Sequence, residues 1–331
     1  MATATQPAAR PKPHAEPNHA VLPELTRRNF ALIELPILER WHLLSLDAPT
    51  VAALWAWFLA ASNHLRLPVS ATVAMAVAVW TLYAGDRLLD SRASTLAPRL
   101  PQDLEPRHLF HHQHRRPFRI AILIASLALA ALLPNLAPEA IALYLILGAL
   151  LLAYFLLIHT QNANPGRTAQ RLPKELAVGV FFSAATFIPT VARQPELRLK
   201  LLPAALLLAA LCSLNCLFIY AWEHPHSHGA ETPHPATALA LRFLHPLTLL
   251  TAFAAALLAL FKALSIAVAH PALLAHSPFF MPPWPICAAI AIAALLLFTL
   301  DHSRRRFTPT SLRAAADLCL LTPLLLLLFL R

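Results

Sequence analysis

Nine apolar stretches, each ended by a polar or proline-bearing break, constrain this chain more than anything else in it: 47–63, 67–85, 119–134, 138–158, 175–192, 201–222, 243–265, 285–300 and 314–330. Each is close to the ~20 residues a helix needs to cross a bilayer. Their Leu, Ala and Ile content suits helices better than the weak ten-residue alternation of a barrel strand. Only 13% of the 331 residues are charged, about half the share in a soluble domain, which leaves too few to clothe a water-facing surface. The sequence therefore predicts an all-α polytopic membrane bundle of about nine transmembrane helices. With five glycines and no G-x-G-x-x-G or Walker string, a nucleotide-binding fold is excluded. Cys212, Cys216, Cys287 and Cys319 all lie in apolar runs and read as core residues, not as a disulfide framework.

Residues 1–40 read as a polar, proline-rich tail that runs into an interfacial helix, ILERWHLL, without the apolar core and cleavage site of a secretory signal. Residues 41–331 read as one membrane domain. With the N-terminus inside, 20 of the 26 Lys and Arg residues fall in inner segments and six in outer ones, as the positive-inside rule requires. Topology thus accounts for the net charge of +10. No basic run is interleaved with aromatics, so nucleic acid is not expected as a partner. The expected setting is a bacterial-type inner membrane, with the site facing the cytoplasm.

Against this background the 16 acids are informative, because a carboxylate at bilayer depth persists only with a partner or a cavity. In TLYAGDRLLDSRA, Asp86 and Asp90 are four apart and fall on one helix face. Two carboxylates so placed can each give an oxygen to a Mg²⁺ that takes its other ligands from water and phosphate; the alternative is pairing with neighbouring arginines. In CSLNCLFIYAWEHPH, Asn215 and Glu223 are eight apart, about 80° around a helix, and could line one cavity or simply belong to an interfacial belt. Asp317 lies one turn beyond Arg313, and a local ion pair is expected.

The order of these features resembles the UbiA superfamily of intramembrane prenyltransferases: an acidic D-x-x-x-D closing helix two, a tyrosine-then-basic stretch after helix four (YFLLIHTQNANPGRTAQRLPKE), and a polar motif closing helix six. The resemblance spans most of residues 40–331. It implies transfer of an isoprenyl group from a polyprenyl diphosphate to a lipophilic acceptor, with Mg²⁺ as cofactor. It also implies Asp86 and Asp90 as catalytic groups, metal ligation by Asp86, Asp90 and Glu223, and substrate binding by Asn215, Glu223, Lys174, Arg171 and Tyr154. Leu82 and Tyr83 stand where the family's motif carries Asn and Asp, and Ile219 occupies the middle place of the second motif. Those replacements define the alternative, a UbiA-like lipid-binding protein without catalysis. A further alternative is a histidine-metal oxidoreductase, from His108, His111, His112 and His114 in one loop and His224, His226, His228 and His234 in another.

Overall fold

The computed structural model describes residues 35–96, 106–161, 173–224, 234–268 and 281–330. Among them there is no strand. The helices are α1 (Ile37–Leu43), α2 (Asp47–Ser62), α3 (Val69–Leu96), α4 (Pro106–Gln113), α5 (Arg115–Leu132), α6 (Pro138–Gln161), α7 (Lys174–Arg193), α8 (Leu197–Glu223), α9 (Pro235–Arg242), α10 (Leu244–Val268), α11 (Trp284–Ser303) and α12 (Pro309–Leu318), the last continuing as a 3₁₀ segment, Cys319–Leu330. Each of the nine apolar stretches lies on helix. Seven helical segments are long and apolar enough to cross a membrane: Val69–Leu89, Arg115–Asn135, Lys174–Arg193, Leu197–Glu223, Leu244–Ala267, Trp284–Arg306 and Pro309–Phe329. The molecule is a multi-pass helical membrane protein. The other two stretches differ in kind: α2 is joined to α1 across a 90° bend, and the apolar part of α6, Pro138–Tyr154, is shorter.

Lipid is as apolar as leucine, so helices associate here through close packing and not through escape from water. The interior of the bundle is accordingly built from alanines at four-residue spacing, Ala52–Ala56–Ala60 on α2 and Ala289–Ala293 on α11, all fully buried. Trp55, Phe58, Leu208, Phe218, Ile290 and Leu297 fill the spaces between them. The opposite distribution marks the outer helices, where Ile120, Leu123 and Leu127 of α5 and Phe253, Leu257 and Phe261 of α10 are all exposed. In water such faces would be interaction surfaces; on this bundle they meet hydrocarbon.

Two local devices fix the packing. Leu320 lies three residues before Pro323, which has no N–H to return to its carbonyl, and the Trp55 indole N–H donates to that oxygen at 2.8 Å. Thr322 donates to the Ala289 carbonyl at 2.8 Å, so the C-terminal segment is bonded to both α2 and α11. Between α7 and α8 the approach is closer: a Cβ on Gly179 would meet Ser213 Oγ at 2.1 Å, the Ala209 carbonyl oxygen at 2.6 Å and the Ser213 nitrogen at 2.7 Å. Two of those three atoms are backbone, so only separation of the helices could make room.

Gly179→Ala is therefore expected to lower the thermal midpoint of the detergent-solubilised protein, at a cost of about 1–3 kcal/mol. Gly148→Ala, on α6 with nothing within 4 Å of the added carbon, is expected to leave it unchanged or to raise it by up to about 1 kcal/mol. Equal melting of the two variants would contradict this account of the α7–α8 contact.

Candidate functional site

The side-chain to side-chain hydrogen bonds between helices, among the described residues, gather at one end of the bundle. Hydrogen bonds there join α1 to α12 (Ser311 and Thr308 donating to Glu39), α8 to α11 (Trp222 donating to Asp301 at 2.7 Å), α10 to α11 (His245 with Asp301 at 2.8 Å) and α7 to α9 (Thr237 donating to Glu175 at 3.0 Å). One layer deeper, five helices converge on a cluster that contains His42, Asp47, Tyr83, Arg87, Asn215 and Asp317.

The corner between α1 and α2 builds the first half. Ser45 adopts φ 60, a left-handed conformation that costs a non-glycine residue about 1–2 kcal/mol. Its N–H bonds back to the His42 carbonyl at 3.0 Å, and the chain turns so that Asp47, at the start of α2, lies 2.5 Å from His42 Nδ1. Glycine would make this turn without strain, but the Ser45 hydroxyl is used: it contacts His111 Nε2 of α4 at 3.2 Å and accepts from Arg87 at 3.3 Å.

Arg87 is 3% exposed and its guanidinium closes the corner. Nη1 donates to the His42 carbonyl at 2.5 Å; Nη2 donates to Asp47 Oδ2 at 3.3 Å and to the Tyr83 hydroxyl at 2.7 Å. Tyr83, one turn earlier on α3, also places its ring 4.2 Å beneath the guanidinium. This is an ion pair within the bundle, with a fork that satisfies four acceptors at once. His42, on α1 outside the spanning segments, is held neutral: burial pushes its pKa down to about 4, with the hydrogen bond to Asp47 pulling the other way.

The second half comes from α8 and α12. Asn215 Nδ2 donates to Asp317 Oδ1 at 2.9 Å, and a carboxylate oxygen of Asp317 lies within 4.8 Å of one of Asp47. Arg313, one turn earlier, pairs with Glu223 of α8. The expected local pair between Arg313 and Asp317 does not form, because each has a partner across the helix interface. The polar positions of α8, Asn215 and Glu223, thus face α12 and bond to it.

The remaining sequence-derived residues lie around this cluster. Asp86 is partly buried on α3, about 100° around the helix from Arg87, so the acidic face and the Tyr83–Arg87 face are different sides of one helix end. Asp90 follows one turn later on the backbone of α3; its side chain lies outside the described residues, as does Arg171. Lys174 is exposed at the first position of α7. Tyr154 is partly buried, its ring 6.1 Å from that of Phe181. His226 and His228 lie outside the described residues. His111 is buried against Phe118 and bonded to Ser45, while His114 bonds the Phe110 carbonyl at 2.9 Å. Among the described residues, the group whose ligand atoms come within 4.8 Å of one another is His42, Asp47 and Asp317, none of them from the histidine-rich loops.

Sequence reasoning missed Asp47 and Arg87. Asp47 sits at the seam between the interfacial helix and the first apolar stretch and reads as a boundary residue; Arg87 reads as a basic anchor at a helix end. The available signal was their character: an acid opening one apolar stretch and a base just beyond the next are both expensive at membrane depth unless paired. No family model, curated protein or solved structure matches this chain.

Arg87→Met is expected to destabilise the protein by about 3–5 kcal/mol, because it leaves Asp47 as an uncompensated buried charge. Arg304→Met, which removes a half-exposed partner of Asp301, is expected to cost under about 1 kcal/mol. Thermal melting in detergent checks both; similar losses would show that Arg87 does not hold the corner.

Proposed function

We propose that the chain crosses the membrane nine times, with its N-terminus and its polar layer in the cytoplasm, and that it is a UbiA-like prenyltransferase acting on a polyprenyl diphosphate and a lipophilic acceptor. One observation carries this reading: Asn215 of α8 bonds Asp317, whose carboxylate lies within 4.8 Å of that of Asp47, the partner of Arg87 on α3. The two helices that bear the family-like polar motifs are thus tied together at the basic end of the bundle.

On this reading a magnesium ion would be held by Asp86 and Asp90. Asp86 and Asp90 lie one turn apart on α3, and Mg²⁺ is ordinarily held by one or two carboxylates with phosphate and water completing its shell. Bound there, it would neutralise charge as the diphosphate departs. Lys174, exposed where α7 begins, and Arg171 supply cationic groups for the diphosphate. Asn215 orients Asp317, and Tyr154 offers an aromatic wall to the isoprenyl chain. Prenyl transfer breaks the allylic C–O bond, with the electron pair leaving on the diphosphate, and forms a bond from the acceptor to the allylic carbon.

A second reading, a UbiA-like protein that binds an isoprenoid lipid without turning it over, is favoured by the Arg313–Glu223 pair. Glu223 would otherwise be the third carboxylate of the site, and Tyr83 already accepts a hydrogen bond from Arg87 where the family's motif has an acid.

Purified protein given Mg²⁺, labelled geranylgeranyl diphosphate and a lipid extract is expected to form a labelled lipid, and Asp86→Ala or Asp90→Ala to reduce the rate about a hundredfold or more. Isoprenoid lipid that co-purifies without Mg²⁺ and is never turned over would establish the second reading instead. For topology, a single-cysteine reporter at His64 is expected to label from outside the cell, and one at Arg304 only after the membrane is permeabilised; the reverse pattern would invert the orientation.

A further inference from the structure

His42 Nδ1, a carboxylate oxygen of Asp47 and a carboxylate oxygen of Asp317 all lie within 4.8 Å of one another. They come from α1, α2 and α12, so the chain is folded nearly end to end to bring them together. The set of one imidazole nitrogen and two carboxylates suits a borderline divalent ion better than a soft or a purely hard one. In the ion-free arrangement His42 Nδ1 lies 2.5 Å from Asp47, so binding an ion there requires the imidazole proton to sit on Nε2.

A second feature is independent of that cluster. Asn215 is 5% exposed; its Nδ2 donates to Asp317, yet its Oδ1 is buried without a hydrogen-bond partner. An orphaned amide oxygen costs about 1–3 kcal/mol, and here it belongs to the side chain that contacts one of the three candidate ligands. The charge count adds a requirement. Two carboxylates face one guanidinium, Arg87, 3.3 Å from Asp47; a divalent ion held by both carboxylates leaves one positive charge in excess. Three protein ligands leave a coordination position open, and an anionic oxygen there, from hydroxide or phosphate, restores neutrality.

We propose that His42, Asp47 and Asp317 form a three-ligand site for a divalent cation of the manganese or zinc class, with Arg87 beside its open position. This site lies on a different face of α3 from Asp86 and Asp90 and does not depend on prenyl transfer, so either can fail alone.

The test is binding. Full-length protein in detergent, stripped with chelator, is titrated with Mn²⁺ and free ion is followed by electron paramagnetic resonance, with Zn²⁺ competition and metal analysis of the re-loaded protein. With no diphosphate present to complete the Asp86–Asp90 site, one ion per chain is expected, weakened at least about tenfold in Asp47→Asn and in Asp317→Asn and unchanged in Asp86→Asn. Bound Mn²⁺ is also expected to show a nitrogen hyperfine coupling that disappears in His42→Gln. If Asp47→Asn does not fold, the Asp317→Asn titration and the nitrogen coupling in the unaltered protein decide the matter. Absence of stoichiometric binding, equal binding in the Asp317→Asn variant, loss of binding in Asp86→Asn, or bound Mn²⁺ without a nitrogen coupling overturns the proposal.

Discussion

The pair between Asp47 and Arg87 is the contact on which the rest of the polar end is arranged. Neither charge could be buried alone in a helical bundle, and together they require that the start of α2 and the end of α3 lie side by side. The same guanidinium holds the His42 carbonyl and the Ser45 hydroxyl, which fixes the 90° turn of α1. With α1 held across the end of the bundle, Glu39 reaches Ser311 at 2.7 Å and Thr308 at 3.1 Å. Thr308 is itself the N-cap of α12, accepting from the Ser311 N–H at 3.1 Å. One buried ion pair thus sets where the last described helix begins.

Elsewhere the bundle is held by fit. Alanine rows on α2 and α11, the bare Gly179 against Ser213, and the Trp55 bond to a carbonyl left open by Pro323 all let backbones approach closely, which is the main source of cohesion in a solvent that gives no hydrophobic drive. The outward leucines and phenylalanines of α5 and α10 take no part in that packing. The division of labour is spatial: small residues inside, large apolar residues toward lipid, and the buried ion pair at one end.

Where the helices lie was legible in the sequence, because hydropathy over ~20 residues reports directly on the cost of placing backbone in lipid. The number that cross was less legible, since α2 continues from α1 across a bend and the apolar part of α6, Pro138–Tyr154, is shorter than the other spans. The faces of α3 could be read from spacing: Asp86 and Asp90 on one, Tyr83 and Arg87 on the other. The polar cluster could not, for three reasons. Asp47 and Asp317 are separated by almost the whole chain, and no local pattern announces a contact at that range. Arg87 looked like an interfacial arginine of the kind that sets topology, whereas it is buried and bonded to four acceptors. Arg313 and Asp317 had the i,i+4 spacing of a local pair, yet Glu223 and Asn215 of α8 each take one of them.

That last exchange bears on how the protein is made. Asp47, His42 and Arg87 leave the ribosome early, while Arg313 and Asp317 follow about 230 residues after Arg87. Until α12 has inserted, the Glu223–Arg313 and Asn215–Asp317 contacts cannot form, and Asp47 lacks its acidic neighbour Asp317. The polar end is therefore completed by the last described helix to be synthesised, so a chain stalled before that point holds Asn215 in the bundle without the carboxylate that α12 brings to it.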